Sequence, residues 1–175
     1  KTMDDLVKLT KESDLVGITV MSNYWDNAIQ ITEKIKENYG IPVVWGGTHP
    51  TIRPDECLDH TDMVCIGESE ESFPELARKM EMGQNYHDTK GMAFKVNGKK
   101  INNSHRALPG TKGSKYTSLD QVPFQDYEYR THYMMQGDDI VQMTEELLTQ
   151  TRFLEFYQTQ PTRGCPFGCT YCINN

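Results

Sequence analysis

The chain has 175 residues, 18 Lys+Arg against 25 Asp+Glu, and a formal net charge of −7. That length allows one ordinary domain with its own core and a smaller remainder, and the lack of any basic run argues against nucleic acid as a partner of this segment. No stretch approaches the roughly 20 apolar residues that span a bilayer, and the opening KTMDDLVKLTKESD has no apolar signal region, so a soluble, cytoplasmic protein is expected. Five cysteines, three of them crowded into residues 165–172, fit a metal or redox role in a reducing compartment better than a disulfide framework.

Residues 1–82 alternate helical and short apolar segments, the pattern of a parallel sheet flanked by helices. Thr2 to Lys11 places Met3, Leu6, Val7 and Thr10 at helical spacing, with Thr2 as the cap. DLVGITVM (14–21) is apolar and β-branched, a strand buried on both faces, and a polar loop follows it. From Asp26 to Tyr39 one helical face carries Ala28, Ile31, Ile35 and Tyr39, Asp26 caps the start, and Gly40 with Pro42 ends it. PVVWG (42–46) is the next strand and runs into Gly47, Thr48, His49 and Pro50, read as a loop; a short helix follows Pro54. MVCI (63–66) is a third strand, followed by GESEES and a helix through Phe73, Leu76, Ala77 and Met80 with Pro74 in its first turn.

Beyond Gly83 the rhythm changes. GMAFKV and KKINNS, joined at Asn97-Gly98, predict a β-hairpin over 91–104. Residues 107–150 read as a linker, with an amphipathic helix at 138–150 built on Ile140, Met143, Leu147 and Leu148. RFLEFYQTQ (152–160) is predicted as a strand entering the cysteine loop.

Cys165, Cys169 and Cys172 are spaced C-x3-C-x2-C. Three thiolates on one short loop can each hold one iron of a cubane cluster, and Gly164 and Gly168 let the backbone fold tightly around it. A 4Fe-4S cluster with three protein ligands leaves one iron open for a substrate or cofactor. A zinc knuckle would need a fourth Cys or His nearby, and none lies within thirty residues upstream.

RGCPFGCTYC resembles the cluster loop of the radical S-adenosylmethionine (radical SAM) superfamily, including the aromatic Tyr171 before the third cysteine. That resemblance implies that S-adenosylmethionine takes the open iron, that Tyr171 lies against its adenine, and that reductive cleavage yields a 5'-deoxyadenosyl radical. It also implies an electron donor such as a flavodoxin or ferredoxin.

The run DLVGITVMS, VVWGGTHPT, VCIGESEESFPEL is similar to the cobalamin-binding domain that precedes the radical SAM barrel in one class of these enzymes. The implied fold is α/β: a flavodoxin-like (Rossmann-like) parallel-sheet domain at 1–106, a linker at 107–150, and the first strand and cluster loop of a radical SAM barrel at 151–175. By the same resemblance the chain begins after the domain's first strand, stops at the threshold of its barrel, and is inactive as a fragment.

In such sheets the ligand sits outside the carboxyl ends of the strands, here at loops 22–26, 46–50 and 67–72. Carried over residue by residue, Ser22 and Asn23 would meet the nucleotide tail of the corrinoid, Gly46, Gly47 and Thr48 would line its channel, and Gly67 with Glu68 would close the pocket. His49 follows the wrong strand for a cobalt ligand. Cys57 and Cys65 read as small buried hydrophobes, and Glu68, Glu70 and Glu71 as carboxylates favoured by a helix start. The competing reading is a non-catalytic α/β ligand- or protein-binding module with an appended zinc or structural cysteine site. A response-regulator version of it would need an aspartate at an early strand end, where Met21 and Trp45 stand instead.

Overall fold

Apolar residues packed on both faces of short strands decide the architecture. The computed structural model describes residues 1–124, 126, 128–150 and 162–172. Strands β1 (Val16–Thr19), β2 (Val43–Gly46) and β3 (Met63–Cys65) run parallel, with Val16 paired to Val43, Thr19 to Gly46 and Val44 to Met63. The hairpin of β4 (Met92–Val96) and β5 (Lys99–Asn102) continues the same sheet in antiparallel sense, giving the order β1-β2-β3-β4-β5. Asn97 and Gly98, at φ 51° and 77°, form the two-residue turn that matches the twist of the flanking strands.

Helix α1 (Thr2–Leu9) precedes β1, and α2 (Trp25–Tyr39) links β1 to β2, stopping at the left-handed Gly40, whose N–H bonds the Lys36 carbonyl. The short helices α3 (Thr48–Ile52) and α4 (Pro54–Cys57) link β2 to β3, and α5 (Ser72–Glu81) links β3 to β4. Side chains alternate across the pleat. Val43, Trp45, Val64 and Ala93 pack on one face with Val7, Ala28, Ile35, Cys57 and Leu58. Val44, Met63, Cys65, Met92 and Phe94 pack on the other with Leu76 of α5. Covering both faces is what makes β2 and β3 read as unbroken apolar runs, and the α/β architecture is the one expected from the sequence. The strand expected at 14–21 to be buried on both faces is not: β1 lies at the end of the sheet order, Val16 and Ile18 are half-buried, and Gly17 and Thr19 are exposed on the face that opens onto a groove.

Several details differ from expectation. The segment read as a helix over 138–150 is split: β6 (Tyr133–Gln136) and β7 (Asp139–Gln142) form a hairpin, and only α6 (Glu145–Gln150) is helical. Gly137 adopts φ 60° in the turn before Asp138, so the chain reverses where a helix was expected to begin. Lys1 Nζ pairs with Asp139 at 2.6 Å and the Thr2 hydroxyl donates to the Asp138 carbonyl, so Thr2 ties α1 to the hairpin turn instead of capping the helix. Asp26 lies inside the first turn of α2 and makes no side-chain cap bond. His49 lies in α3 rather than in a loop. The strand expected at 152–160 lies outside the described residues.

Candidate functional site

The carboxyl ends of β1, β2 and β3 open onto a groove of about 380 Å3 lined by Gly17, Thr19, Gly46, Gly47, Gly67 and Glu68, with Phe73 as one wall. Its floor is bare backbone for a geometric reason. Val16 and Ile18 of β1, and Val43 and Trp45 of β2, pack into the opposite face, so Gly17 and Gly46 share the groove face. A Cβ at Gly17 would lie 3.9 Å from the Phe73 ring, and one at Gly46 would lie 3.7 Å from Cys65 Cβ. Both are ordinary contacts, so packing alone does not require glycine at either place. What the missing side chains provide is room for a flat or extended group directly on the sheet. Gly17 was not singled out from the sequence, although a glycine inside an apolar strand is itself the signal for close backbone approach.

Gly47 serves the fold. Its φ is 96°, and a Cβ there would come within 2.9 Å of Thr19 Cγ2 and 3.3 Å of the Val20 backbone. The loop after β2 is laced to the end of β1 at this point: Val20 N–H donates to the Gly46 carbonyl at 2.8 Å, and His49 N–H to the Val20 carbonyl at 3.1 Å. Gly67, at φ 74°, turns its N–H onto Thr51 Oγ1 at 3.0 Å, joining the loops after β2 and β3.

Ser22, Asn23 and Thr48 are exposed and lie outside the groove lining. Ser22 and Asn23 form a short 3-10 turn after β1, and Ser22 Oγ is hydrogen-bonded to His49 Nδ1 at 2.9 Å. His49 also packs against Trp25, with ring centroids 4.6 Å apart, and its buried Nε2 has no hydrogen-bond partner among the described residues. A larger cleft of about 470 Å3 lies at the amino-terminal ends of the strands, beside the Lys36–Asp62 ion pair, and lacks the glycine floor.

The glutamates after β3 hold arginines that lie far along the chain, a role that helix-end electrostatics did not anticipate. Arg163 Nη1 donates to Glu68 Oε2 at 2.7 Å and Nη2 to Glu70 Oε1 at 2.9 Å. Arg106 pairs with Glu71 at 3.1 Å and with Glu75, and Glu71 Oε1 also accepts from the Ser114 hydroxyl at 2.6 Å and the Lys115 N–H at 2.8 Å. Burial pushes the Glu68 carboxyl above its ordinary range, Arg163 opposes the shift, and the neighbouring Glu70 adds to it. Burial acts upward on Glu71 too, yet Ser114, Lys115 N–H and Arg106 together hold it below 4.5.

The loop carrying Cys165, Cys169 and Cys172 follows directly from Arg163. Cys165 and Cys169 are exposed and Cys172 is half-buried; Cys172 N–H bonds the Cys169 carbonyl at 3.1 Å. Gly164, at φ 76°, sits against Leu108, whose Cδ1 would be 3.0 Å from an added Cβ. Tyr171 and Phe167 are 91% and 70% exposed, so the loop presents its aromatics outward. Among the described residues no three His, Cys, Asp or Glu side chains are gathered into a metal-binding set. The donor chemistry, three thiols on a glycine-bearing surface loop, suits an iron–sulfur cluster, and closing the loop would be coupled to binding. Cys57 and Cys65 lie in the core, and burial pushes their thiols up to about 12 and about 11.

Residues 1–77 match the family model described as the B12 binding domain. The fold is shared with OxsB, a cobalamin-dependent S-adenosylmethionine radical enzyme solved with aqua-cobalamin and S-adenosylmethionine bound (TM-score 0.54, 16% identity, 61% of this chain and 16% of that one). It is shared equally with TsrM, a radical S-adenosylmethionine methyltransferase of Kitasatospora setae (TM-score 0.53, 18% identity, 59% of this chain and 21% of that one).

By sequence the chain is 28% identical over 180 residues to an uncharacterised methyltransferase, PH0819, of Pyrococcus horikoshii, covering 99% of this chain and 35% of that protein. It is 24% identical over 169 residues to bacteriochlorophyllide d C-8(2)-methyltransferase of Chlorobaculum tepidum, covering 97% of this chain and 30% of that protein. The chain thus spans about a third of the length of these relatives. The match to the B12 binding domain model thus falls on the sheet and helices of the amino-terminal part, and the likeness to the two solved enzymes is one of fold. No helix among the described residues is long and apolar enough to cross a membrane.

Proposed function

We propose that this chain forms the cobalamin-carrying part and the cluster loop of a cobalamin-dependent radical SAM enzyme that transfers methyl groups. The observation that carries this reading is the glycine-floored groove at the strand ends, lying in the segment that matches the B12 binding domain. Gly17 and Gly46 leave the sheet bare where the corrinoid's nucleotide tail would lie, and Gly67 and Glu68 stand at the rim. Cys165, Cys169 and Cys172 would hold a 4Fe-4S cluster, leaving one position for S-adenosylmethionine, with Tyr171 beside the adenine. When bound, the cluster would supply the electron that cleaves S-adenosylmethionine, and cobalamin would supply a transferable methyl group. A small electron carrier, such as a flavodoxin or ferredoxin, would dock over this exposed loop.

Anaerobic reconstitution with iron and sulfide tests the cluster half. The expected product is a four-iron cluster whose EPR signal shifts when S-adenosylmethionine is added, and which is lost in Cys165→Ala, Cys169→Ala and Cys172→Ala. Unchanged iron content in all three variants, or stoichiometric zinc in place of iron, would refute it.

A further inference from the structure

The groove and the cysteine loop share a residue contact that neither requires on its own. Glu68 lines the groove and also accepts from Arg163, which stands two residues before Cys165. Arg163 spreads its two terminal nitrogens over two carboxylates, Glu68 at 2.7 Å and Glu70 at 2.9 Å, and the groups are only 20–31% exposed. Glu70 Oε2 is buried and has no hydrogen-bond partner among the described residues, so this carboxylate depends on Arg163 for compensation. Removing the guanidinium would leave two carboxylates side by side in a partly desolvated place, and they would separate. Glu68 would then leave its position on the groove rim. Beside the clamp, Gly164 rests on Leu108, so the root of the loop is held by charge and by packing.

We propose that Arg163 is a positioning residue. It clamps the cysteine loop to the groove rim through Glu68 and Glu70, so that a corrinoid in the groove and a cluster on the loop each favour the other's binding. This rests on the functional reading above and adds to it a coupling between the two cofactor sites. The coupling is reciprocal by necessity: whatever fixes Glu68 from the groove side stabilises Arg163, and whatever orders the loop stabilises Glu68. Lysine would not replace arginine here, because a single ammonium on a flexible stem does not span two separate carboxylates in a fixed fork.

Two measurements on the full chain test the proposal. Hydrogen–deuterium exchange needs no cofactor: Arg163→Ala should speed exchange roughly tenfold in residues 162–172 and also in residues 67–72, with Arg163→Lys between it and the wild type. Acceleration confined to 162–172 would overturn the clamp. The second measurement is hydroxocobalamin affinity before and after iron–sulfide reconstitution. The wild type should bind about fivefold or more tightly once reconstituted, and the ratio should fall to about one in Arg163→Ala, which still takes up each cofactor separately. A wild-type ratio of one with both cofactors bound overturns the proposal and leaves the functional reading standing. A folded wild type that takes up neither cofactor overturns both.

Discussion

The indole Nε1 of Trp45 donates to Thr32 Oγ1 at 2.8 Å at the centre of the core, and the same hydroxyl donates to the Ala28 carbonyl at 2.7 Å. Both residues are fully buried. One hydroxyl therefore satisfies the only polar atom of the largest side chain on β2 and fixes α2 across the sheet. Thr32→Val keeps the shape and strands the indole N–H, a change expected to cost about 1–3 kcal/mol. Thr32→Ser should cost less, since it keeps the hydrogen bond. Urea unfolding with an unchanged m-value is the check, and equal stability of the valine variant and the wild type would show that the bond is not needed.

The glycines of the site divide into two kinds. At Gly17 an added Cβ would lie 3.9 Å from Phe73 and Val44, an ordinary contact, and the open groove beyond it gives the two branches of Gly17→Val room, so the fold should tolerate the change while the groove fills. Gly47→Ala is forced into φ 96° and onto Thr19 and Val20, and should lose about 2 kcal/mol of stability. Thermal unfolding of the pair settles the assignment; a Gly17→Val protein less stable than Gly47→Ala would reverse the two roles.

The thiols should separate by reactivity. Cys165 and Cys169 are exposed, whereas Cys57 and Cys65 are buried and their thiols are pushed up to about 12 and about 11. An alkylating reagent at pH 8 should label the first two quickly, and the core pair only after denaturant is added. Mass spectrometry of timed digests reads this out, and early labelling of Cys57 in the native protein would contradict the packing.

Acid should release the segment that Glu71 holds. Its folded pKa lies below the ordinary 4.5, because Ser114, Lys115 N–H and Arg106 outweigh the effect of burial. A depressed carboxyl contributes stability above its unfolded pKa and loses it as pH falls through the folded value. Glu68 is shifted the other way by burial, so its contribution has the opposite sign: it is present below the unfolded pKa and lost as pH rises through the folded one. Glu71→Gln should therefore lower stability near neutral pH and flatten its decline below about pH 4.5. A stability-against-pH curve for the variant that runs parallel to the wild type would count against this.

Much of the fold was legible because local rules and burial agree. The apolar runs of β2 and β3, the Gly40 stop of α2 and the Asn97-Gly98 turn each carry their instruction within a few residues, whereas the apolar run of β1 overstated its burial, because Gly17 and Thr19 face the open groove. The misreading at 138–150 arose where Ile140, Met143, Leu147 and Leu148 satisfy a helical spacing, while the reversal at Gly137 decides otherwise. At the site, Gly46, Gly47, Gly67 and Glu68 do line the groove, whereas Ser22, Asn23 and Thr48 lie outside it. The arginine clamps could not be read from the sequence. Arg106 and Arg163 reach glutamates 31 to 95 residues away, and no local pattern announces a partner at that separation.

The proposed function stands on cobalamin binding in the glycine-floored groove. Hydroxocobalamin titrated into the folded chain, followed by its visible absorbance and by retention through gel filtration, tests it most directly. Saturable one-to-one binding is expected, weakened about tenfold or more by Gly17→Val, an effect of at least about 1.4 kcal/mol, without unfolding the chain. A folded chain that retains no corrinoid, or one whose affinity is indifferent to Gly17→Val, would contradict it.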